Sequence, residues 1–437
     1  MLKILANRTY RHLFLAQVIA LVGTGLATVA LGLLAYELAG AQAGAVLGTA
    51  LAIKMIAYIG VAPVAAAFAE RLPRRAMLVS LDLVRALVAL ALPFVSEVWQ
   101  VYVLIFLLQS ASAAFTPTFQ ATIPDVLPDE EDYTRALSLS RLAYDLESVA
   151  SPMLAAALLT VISFHNLFGG TVIGFLASAA LVASVLLPKP KQTPRRSIYD
   201  RTTRGLRIFL ATPRLRGLLA LNVAVAAASA MVIVNTVVLV QSRFGLPQSA
   251  TAWALAAFGG GSMIAALALP RLLKNIKDRS AMLCGGGILV AGLIAGISLP
   301  NYSFLLPLWV VLGVGYSLAQ TPSGRLLRRS SHAEDRPALF AAQFALSHAC
   351  WLITYPVAGW VGANFGLTAA FAGLAILAGL AMLVSMRIWH PSHDQESLEH
   401  SHENLPENHP HLEGSSADRR HEHIFIIDDE HRCWPDR

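Results

Sequence analysis

Long apolar runs separated by short polar ones set the pattern of this sequence. Stretches of about 20 residues with few charges recur along it, each long enough to cross the hydrocarbon layer of a membrane as a helix. Twelve spans are predicted. In the first half they run near 13–38, 44–68, 77–94, 99–119, 136–161 and 167–187, and in the second near 217–240, 250–270, 282–299, 303–320, 339–364 and 368–388. The expected fold class is all-α: a polytopic membrane protein with its helices in two pseudo-symmetric six-helix bundles. The divisions are a first half at 1–187, a central loop at 188–216, a second half at 217–389 and a flexible tail at 390–437. Composition agrees, because 56% of the 437 residues are hydrophobic and 14% charged, against about 25% charged in a soluble domain.

Charge changes the picture by orienting the spans. The connections at 39–43, 95–98, 162–166, 241–249, 300–302 and 365–367 are short and nearly free of cations, with Arg243 the exception. The alternate set is rich in them: Lys3, Arg8 and Arg11; Arg71, Arg74 and Arg75; a run from Lys189 through Arg195, Arg196, Arg201, Arg204 and Arg207 to Arg216; Arg271, Lys274, Lys277 and Arg279; and Arg325, Arg328, Arg329 and Arg336. Cytoplasmic loops retain Lys and Arg, so both termini and the central loop are expected in the cytoplasm, with the chain in a bacterial inner membrane. The net charge of +6 then reads as a topology signal. The rival reading, a nucleic-acid patch at 189–216, fails because that run sits between two spans. Three well-separated cysteines (Cys284, Cys350, Cys433) imply no disulfide framework. The basic segment Met1 to His12 leads into a run long enough to span, not a cleavable signal.

The two halves echo each other at an offset of about 205 residues, read directly from the sequence. Arg74-Arg75-Ala76-Met77-Leu78 aligns with Arg279-Ser280-Ala281-Met282-Leu283, Thr116-Pro117 with Thr321-Pro322, and Ser151-Pro152 with Tyr355-Pro356. Repeated halves place a substrate path at their interface near the bilayer midplane.

Ionisable groups inside spans are costly and mark function by default. They are Lys54, Asp82, Arg85, Arg141, Asp145 and Glu147. Arg141 and Asp145 are four apart and share a helix face, so a structural ion pair stands beside the functional reading, in which Asp145 or Glu147 binds a cation or carries a coupling proton. Glu37 falls at the edge of its span. His348 and Cys350 lie in span 11, opposite span 5 by the repeat offset; an imidazole and a thiol near two carboxylates would suit nickel or zinc, whereas simple packing is the plainer reading. Asn222, Asn235 and Gln343 are further polar candidates for the path.

Several motifs carry a family resemblance. Ala66-Ala67-Phe68-Ala69-Glu70-Arg71-Leu72-Pro73-Arg74-Arg75 resembles the loop signature of major facilitator transporters, G-x-L-A-D-R-x-G-R-R, with Ala66, Glu70 and Pro73 departing from it. An acid beside arginines at a helix end locks one conformation, so Glu70, Arg71, Arg74 and Arg75 are the expected conformational loop. Asn7-Arg8-x-x-Arg11, Ala16-Gln17, Tyr36-Glu37-Leu38, Asp82-x-x-Arg85, Ala114-Phe115-Thr116-Pro117 and Gln120-Ala121-x-x-Pro124 look like the drug/siderophore exporter branch over residues 1 to about 389. Ser151-Pro152-x-x-Ala155-Ala156 stands where such exporters carry G-P-x-x-G-G, and the missing glycines weaken the hinge.

From His390 the composition turns polar and acidic and holds nine histidines: His390, His393, His400, His402, His409, His411, His421, His423 and His431. Such tracts bind metal by composition, making His400, His402, His409, His411, His421 and His423 candidate ligands; a merely solubilising tail is the alternative. The ending Ile424-Phe425-Ile426-Ile427 with Cys433-Trp434-Pro435 reads as a short docking element. The core and tail together resemble the nickel-resistance (NreB-type) permeases. That resemblance implies a monomeric proton antiporter exporting Ni²⁺, with Co²⁺ next, and no tightly bound cofactor. Export of an organic drug, macrolide or siderophore is the alternative and predicts an aromatic, apolar cavity. A metal-responsive sensor is a third reading. No nucleotide loop, nucleophile constellation or H-E-x-x-H supports an enzyme.

Overall fold

The structure is a computed structural model that describes residues 2–39, 43–69, 72–188, 197–394, 397–401 and 420–435. Helices of the first half are α1 (Arg8–Ala39), α2 (Ala43–Ala69), α3 (Arg74–Ala91), α4 (Val98–Val126), α5 (Glu130–Leu158) and α6 (Phe164–Ala183). A surface helix α7 (Ile198–Ala211) leads to α8 (Pro213–Val237), α9 (Gln248–Leu272), α10 (Asp278–Ile297) and α11 (Tyr302–Gln320). A two-turn α12 (Ser323–Arg329), then α13 (Arg336–Phe365) and α14 (Leu367–Ile388) complete the second half. Ten of the described helices are long and apolar enough, by length and composition, to cross a membrane. In α2 the apolar stretch is the shorter Ala52–Ala67, and α5 carries the charges described above.

Local chemistry explains the helix ends. The side chain of Asp129 accepts the amide of Asp132, and the acids Glu130, Glu131 and Asp132 in the first turn complement the helix dipole of α5. Ser197 caps α7 in the same way through the amide of Asp200. That cap gives the central segment expected as a loop a helix of its own, packed on α2, α8 and α13.

The halves meet along two equivalent seams: α2 packs on α13, and α5 on α9. Second helix meets fifth in both directions, the contact pattern that a duplicated six-helix unit produces across a pseudo-twofold axis. Within the second half, α9 and α11 touch backbone to backbone, since a Cβ on Gly313 would stand 2.0 Å from the Phe258 carbonyl oxygen and one on Gly261 2.0 Å from that of Val310. Glycine is required there for close approach. Large apolar side chains such as Leu87, Trp253, Trp360 and Ile376 face outward, as a lipid-facing surface does.

The tail departs from the expectation of a segment flexible throughout. Strands β1 (Ser397–Ser401) and β2 (Arg420–Ile424) pair antiparallel, with His400 opposite His421. Phe425 and Ile427 are buried against the second half, because these apolar residues cover core surface that the polar part of the tail cannot.

Candidate functional site: a central cavity and a sealed arginine-rich face

A cavity of about 600 Å³ opens between the halves. Aromatic rings from both halves stand on its wall, Tyr58, Phe115, Phe119 and Tyr144 from the first and Tyr316, Phe344, Trp351 and Tyr355 from the second, interleaved with polar side chains such as Gln17, Gln109 and Gln120. Tyr58 donates to Gln109 Oε1 at 2.9 Å, and its ring lies 4.7 Å from that of His348, edge-on. His348 sits 2.7 Å through Nδ1 from the Phe344 carbonyl, which makes Nδ1 the donor and orients the ring into the aromatic cluster.

Among the described residues, four side chains that can carry charge line this cavity: Lys54, Arg85, Arg141 and Glu147. Two of them are balanced on their own helices. Arg85 pairs with fully buried Asp82, which also accepts from Ser178 at 2.8 Å; the guanidinium lies 4.0 Å from the Phe115 ring and 4.5 Å from that of Phe175. Arg141 donates through Nε to Asp145 at 3.0 Å and through Nη1 to Tyr316 at 3.2 Å. Asp145 therefore stands behind Arg141, off the cavity wall. Glu147 is the carboxylate that does face it, and Lys54 Nζ lies 5.5 Å from the ring of Tyr58, the same ring that meets His348. Gly25 on α1 leaves room for Ser151 and Glu147 of α5, since a Cβ there would fall 2.2 Å from the Ser151 Cβ and 2.6 Å from the Glu147 Oε1.

Of the other sequence candidates, Gln343 lines the cavity. Cys350 is buried away from it, its thiol on the Leu346 carbonyl at 3.3 Å. Asn235 bonds the Ala358 carbonyl at 3.1 Å and Asn222 is buried in α8; neither lines the cavity. Glu37 is exposed, 3.9 Å from His165. The expected grouping of Asp145, Glu147, His348 and Cys350 is thus split, with only Glu147 and His348 on the wall.

At the arginine-rich face the halves are joined by ion pairs. Asp125, at the end of α4, accepts from Arg74 on α3 and from Arg336 on α13, each at 2.5 Å. Arg325 reaches Glu130 at 2.6 Å, Thr134 Oγ1 at 2.7 Å and buried Asp278 at 3.1 Å. Lys274 meets Glu131 at 2.8 Å. Arg74 of the loop signature is therefore engaged, and Arg75 is exposed; Glu70 and Arg71 lie outside the described residues. Sequence reasoning missed Asp125, whose only local signal is an acid at a helix end. It also missed Tyr133, fully buried, which lines the central cavity and also a second one of about 390 Å³ among Arg325, Arg328, Arg329, His332 and Arg336. Tyr133 is the partition between the two.

The tail borders this second cavity through Ile424 and Ile426. It is anchored by Asp429 on Arg204 at 2.8 Å and by Asp428, 3.4 Å from His332 and 2.9 Å from His431 Nδ1. The bond to Asp428 raises the His332 imidazole pKa above its ordinary value. Burial works against the Asp428 carboxylate, but its bonds to His332 and His431 outweigh it and hold the pKa well below the usual carboxylate range. The rings of His421 and His423, and of His423 and His431, are 5.1 Å apart. Among the described residues, no group of three or more His, Cys, Asp or Glu side chains is placed to hold a metal ion. His402, His409 and His411 lie outside those residues, and of His400 only the backbone is described.

Comparison with known proteins completes the picture. The sequence model of the Major Facilitator Superfamily matches residues 13–247 and 218–414. An uncharacterized MFS-type transporter, YfiS of Bacillus subtilis (strain 168), is 23% identical over 347 residues, covering 75% of this chain and 81% of that protein. Macrolide efflux protein A of Streptococcus pyogenes is 26% identical over 153 residues, 32% of this chain and 38% of that protein. Among solved structures, the human organic anion transporter MFSD10 (TETRAN) superposes with a TM-score of 0.76 at 13% identity, over 87% of this chain and 99% of that one. A bacterial homologue of the iron transporter ferroportin, in an outward-facing state, does so with 0.73 at 14%, over 87% and 99%. At those identities the structural likeness concerns the fold.

Proposed function

This chain belongs to the major facilitator superfamily, and on that premise we propose that it is a secondary exporter of amphipathic organic solutes, driven by proton antiport. Its arginine-rich face would lie in the cytoplasm of a bacterial inner membrane, so that the sealed state described here is open outward. The observation that carries the reading is the cavity wall, where rings from both halves surround a single carboxylate, Glu147. Flat and apolar groups pack on such rings, and a cationic group of the solute competes with a proton for Glu147. The likeness to a macrolide efflux protein supports outward transport. Asp82 and Asp145 serve as counter-ions that keep Arg85 and Arg141 in place.

Export of a divalent transition metal, Ni²⁺ or Co²⁺, is the second reading, favoured by the tail histidines and by the ferroportin-like neighbour. Against it, the cavity offers a metal only Glu147 and His348, beside the cation Lys54. Metal sites of imidazole and carboxylate ordinarily take about three or more protein ligands.

The test is accumulation in efflux-deficient bacteria of a macrolide, an aromatic amine dye and Ni²⁺. Lower retention of the organic probes by the chain, lost in Glu147→Gln, is the expected result. Unchanged organic retention with lowered nickel would replace this reading by the second.

A further inference from the structure

Two charges on the wall of the central cavity are left open by the chain itself. Arg85 and Arg141 are each answered by an aspartate on the same helix, Asp82 and Asp145. Lys54, near the middle of α2, and Glu147, on α5, are not: among the described residues, neither has an ion-pair partner within 4.0 Å. The Lys54 ammonium stands 5.5 Å from the Tyr58 ring centroid, a contact that orients the side chain but does not neutralise it. Lys54 and Glu147 are half-buried and line the same cavity of about 600 Å³, so each is within reach of what enters there.

An ionised side chain inside a span is costly and marks the substrate path by default. Water solvates an open ammonium without neutralising it, whereas a carboxylate does both. We infer that Lys54 binds an anionic group of the transported solute, so that the class this wall favours is an amphipathic zwitterion. Its carboxylate meets Lys54, its ammonium meets Glu147, and its flat or apolar body packs on rings such as Phe344 and Trp351. This inference rests on the exporter reading above and narrows its substrate. The ammonium–carboxylate bond is charge-assisted, and the partly desolvated wall makes it stronger than it would be in water. A lysine suits the task because its compact charge on a flexible stem follows solutes of different shape. A solute that carries only a cation meets Lys54 as a like charge, which is how the wall discriminates between the two classes.

The test uses two fluorescent probes, Nα-dansyl-lysine and dansylcadaverine, the second being the first without its carboxylate. Each is titrated into the purified full-length protein at neutral pH, and binding is read by energy transfer to the dansyl group from the tryptophans, Trp351 on the wall among them. The wild type should bind dansyl-lysine more tightly. Lys54→Gln should weaken dansyl-lysine about tenfold, the effect of one lost hydrogen bond between charged groups, and should not weaken dansylcadaverine, whose retained binding shows that the variant is folded. Lys54→Arg should restore the preference for the carboxylate. Equal affinity of the two probes for the wild type, or an equal loss of both in Lys54→Gln, overturns the assignment of Lys54. Glu147→Gln should weaken both probes. If it weakens neither, the role proposed for Glu147 fails while the Lys54 comparison stands on its own.

Discussion

The cavity wall and the arginine-rich face both carry ion pairs, but they are wired differently. On the wall, Asp82 and Arg85 are three apart on α3, and Arg141 and Asp145 four apart on α5. At the face, Asp125, Glu130 and Glu131 of the first half meet Arg336, Arg325 and Lys274 of the second. A pair on one helix travels with that helix. It adds to folding stability and leaves the balance between conformations untouched. A pair that spans the halves is broken whenever they rock apart, so its free energy enters the conformational equilibrium directly. Charges on the wall therefore shape the site, and charges at the face set which state is populated.

The sharpest way to break this distinction is at Asp82. Asp82→Ala strands the buried Arg85 charge and should cost about 3–5 kcal/mol, read as a large fall in the unfolding midpoint. Adding Arg85→Leu should recover much of it, because the uncompensated charge is then gone. Neither change should alter which face is open.

Asp125→Asn is the counterpart at the face. It weakens two arginine contacts at once and should shift the balance toward opening by about 1–3 kcal/mol, with little change in unfolding. Impermeant maleimide labelling of a cysteine placed at Gly324, which lines the central cavity beside Tyr133, measures that shift.

Arg141 sharpens the comparison because it belongs to both classes. It pairs with Asp145 on its own helix and donates to Tyr316 across the seam at 3.2 Å. Tyr316→Phe should therefore promote opening by about 1 kcal/mol in the same labelling assay, at unchanged stability.

The exposed Glu131–Lys274 pair should matter least among the cross-half bonds, and less still at high salt. Docking of the tail adds a pH dependence. The raised His332 pKa means its bond to Asp428 contributes fully below the ordinary imidazole range of about 6.5 and is lost as pH climbs through the raised value. The depressed Asp428 pKa makes that carboxylate's contribution present above the ordinary carboxylate range of about 3.9 and lost only in stronger acid. Trp434 fluorescence should report release of the tail on the alkaline side first, and His332→Gln should remove that alkaline step.

Much of the architecture is legible in the sequence because apolar length and loop charge act locally. The spans, the duplicated halves and the intramembrane ionisable groups all follow from neighbours within a few turns. What the sequence does not show is which face of a helix meets which partner. Asp145 and Glu147 are two residues apart and look equivalent, yet Arg141 takes one off the wall and Gly25 makes room for the other. Asp125 and Arg336 are separated by 211 residues, and no periodicity announces their contact. Tyr133 reads as an ordinary aromatic at a helix start; its role as a partition comes from the two cavities on either side of it. The tail's histidines are legible by composition and its apolar ending as a docking element, whereas the surface that Phe425 and Ile427 cover exists only in the folded second half.

The most direct test of the account is a distance across the arginine-rich face. Spin labels at Glu131→Cys and Lys274→Cys, with Cys284, Cys350 and Cys433 replaced by serine, report the separation of the halves there. The account predicts a predominantly short distance in this background and a new, longer population when Asp125→Asn is added, with no such population on adding Asp82→Ala/Arg85→Leu. An unchanged distribution with Asp125→Asn, or equal opening with the wall double change, would contradict the claim that cross-half charges hold the sealed state.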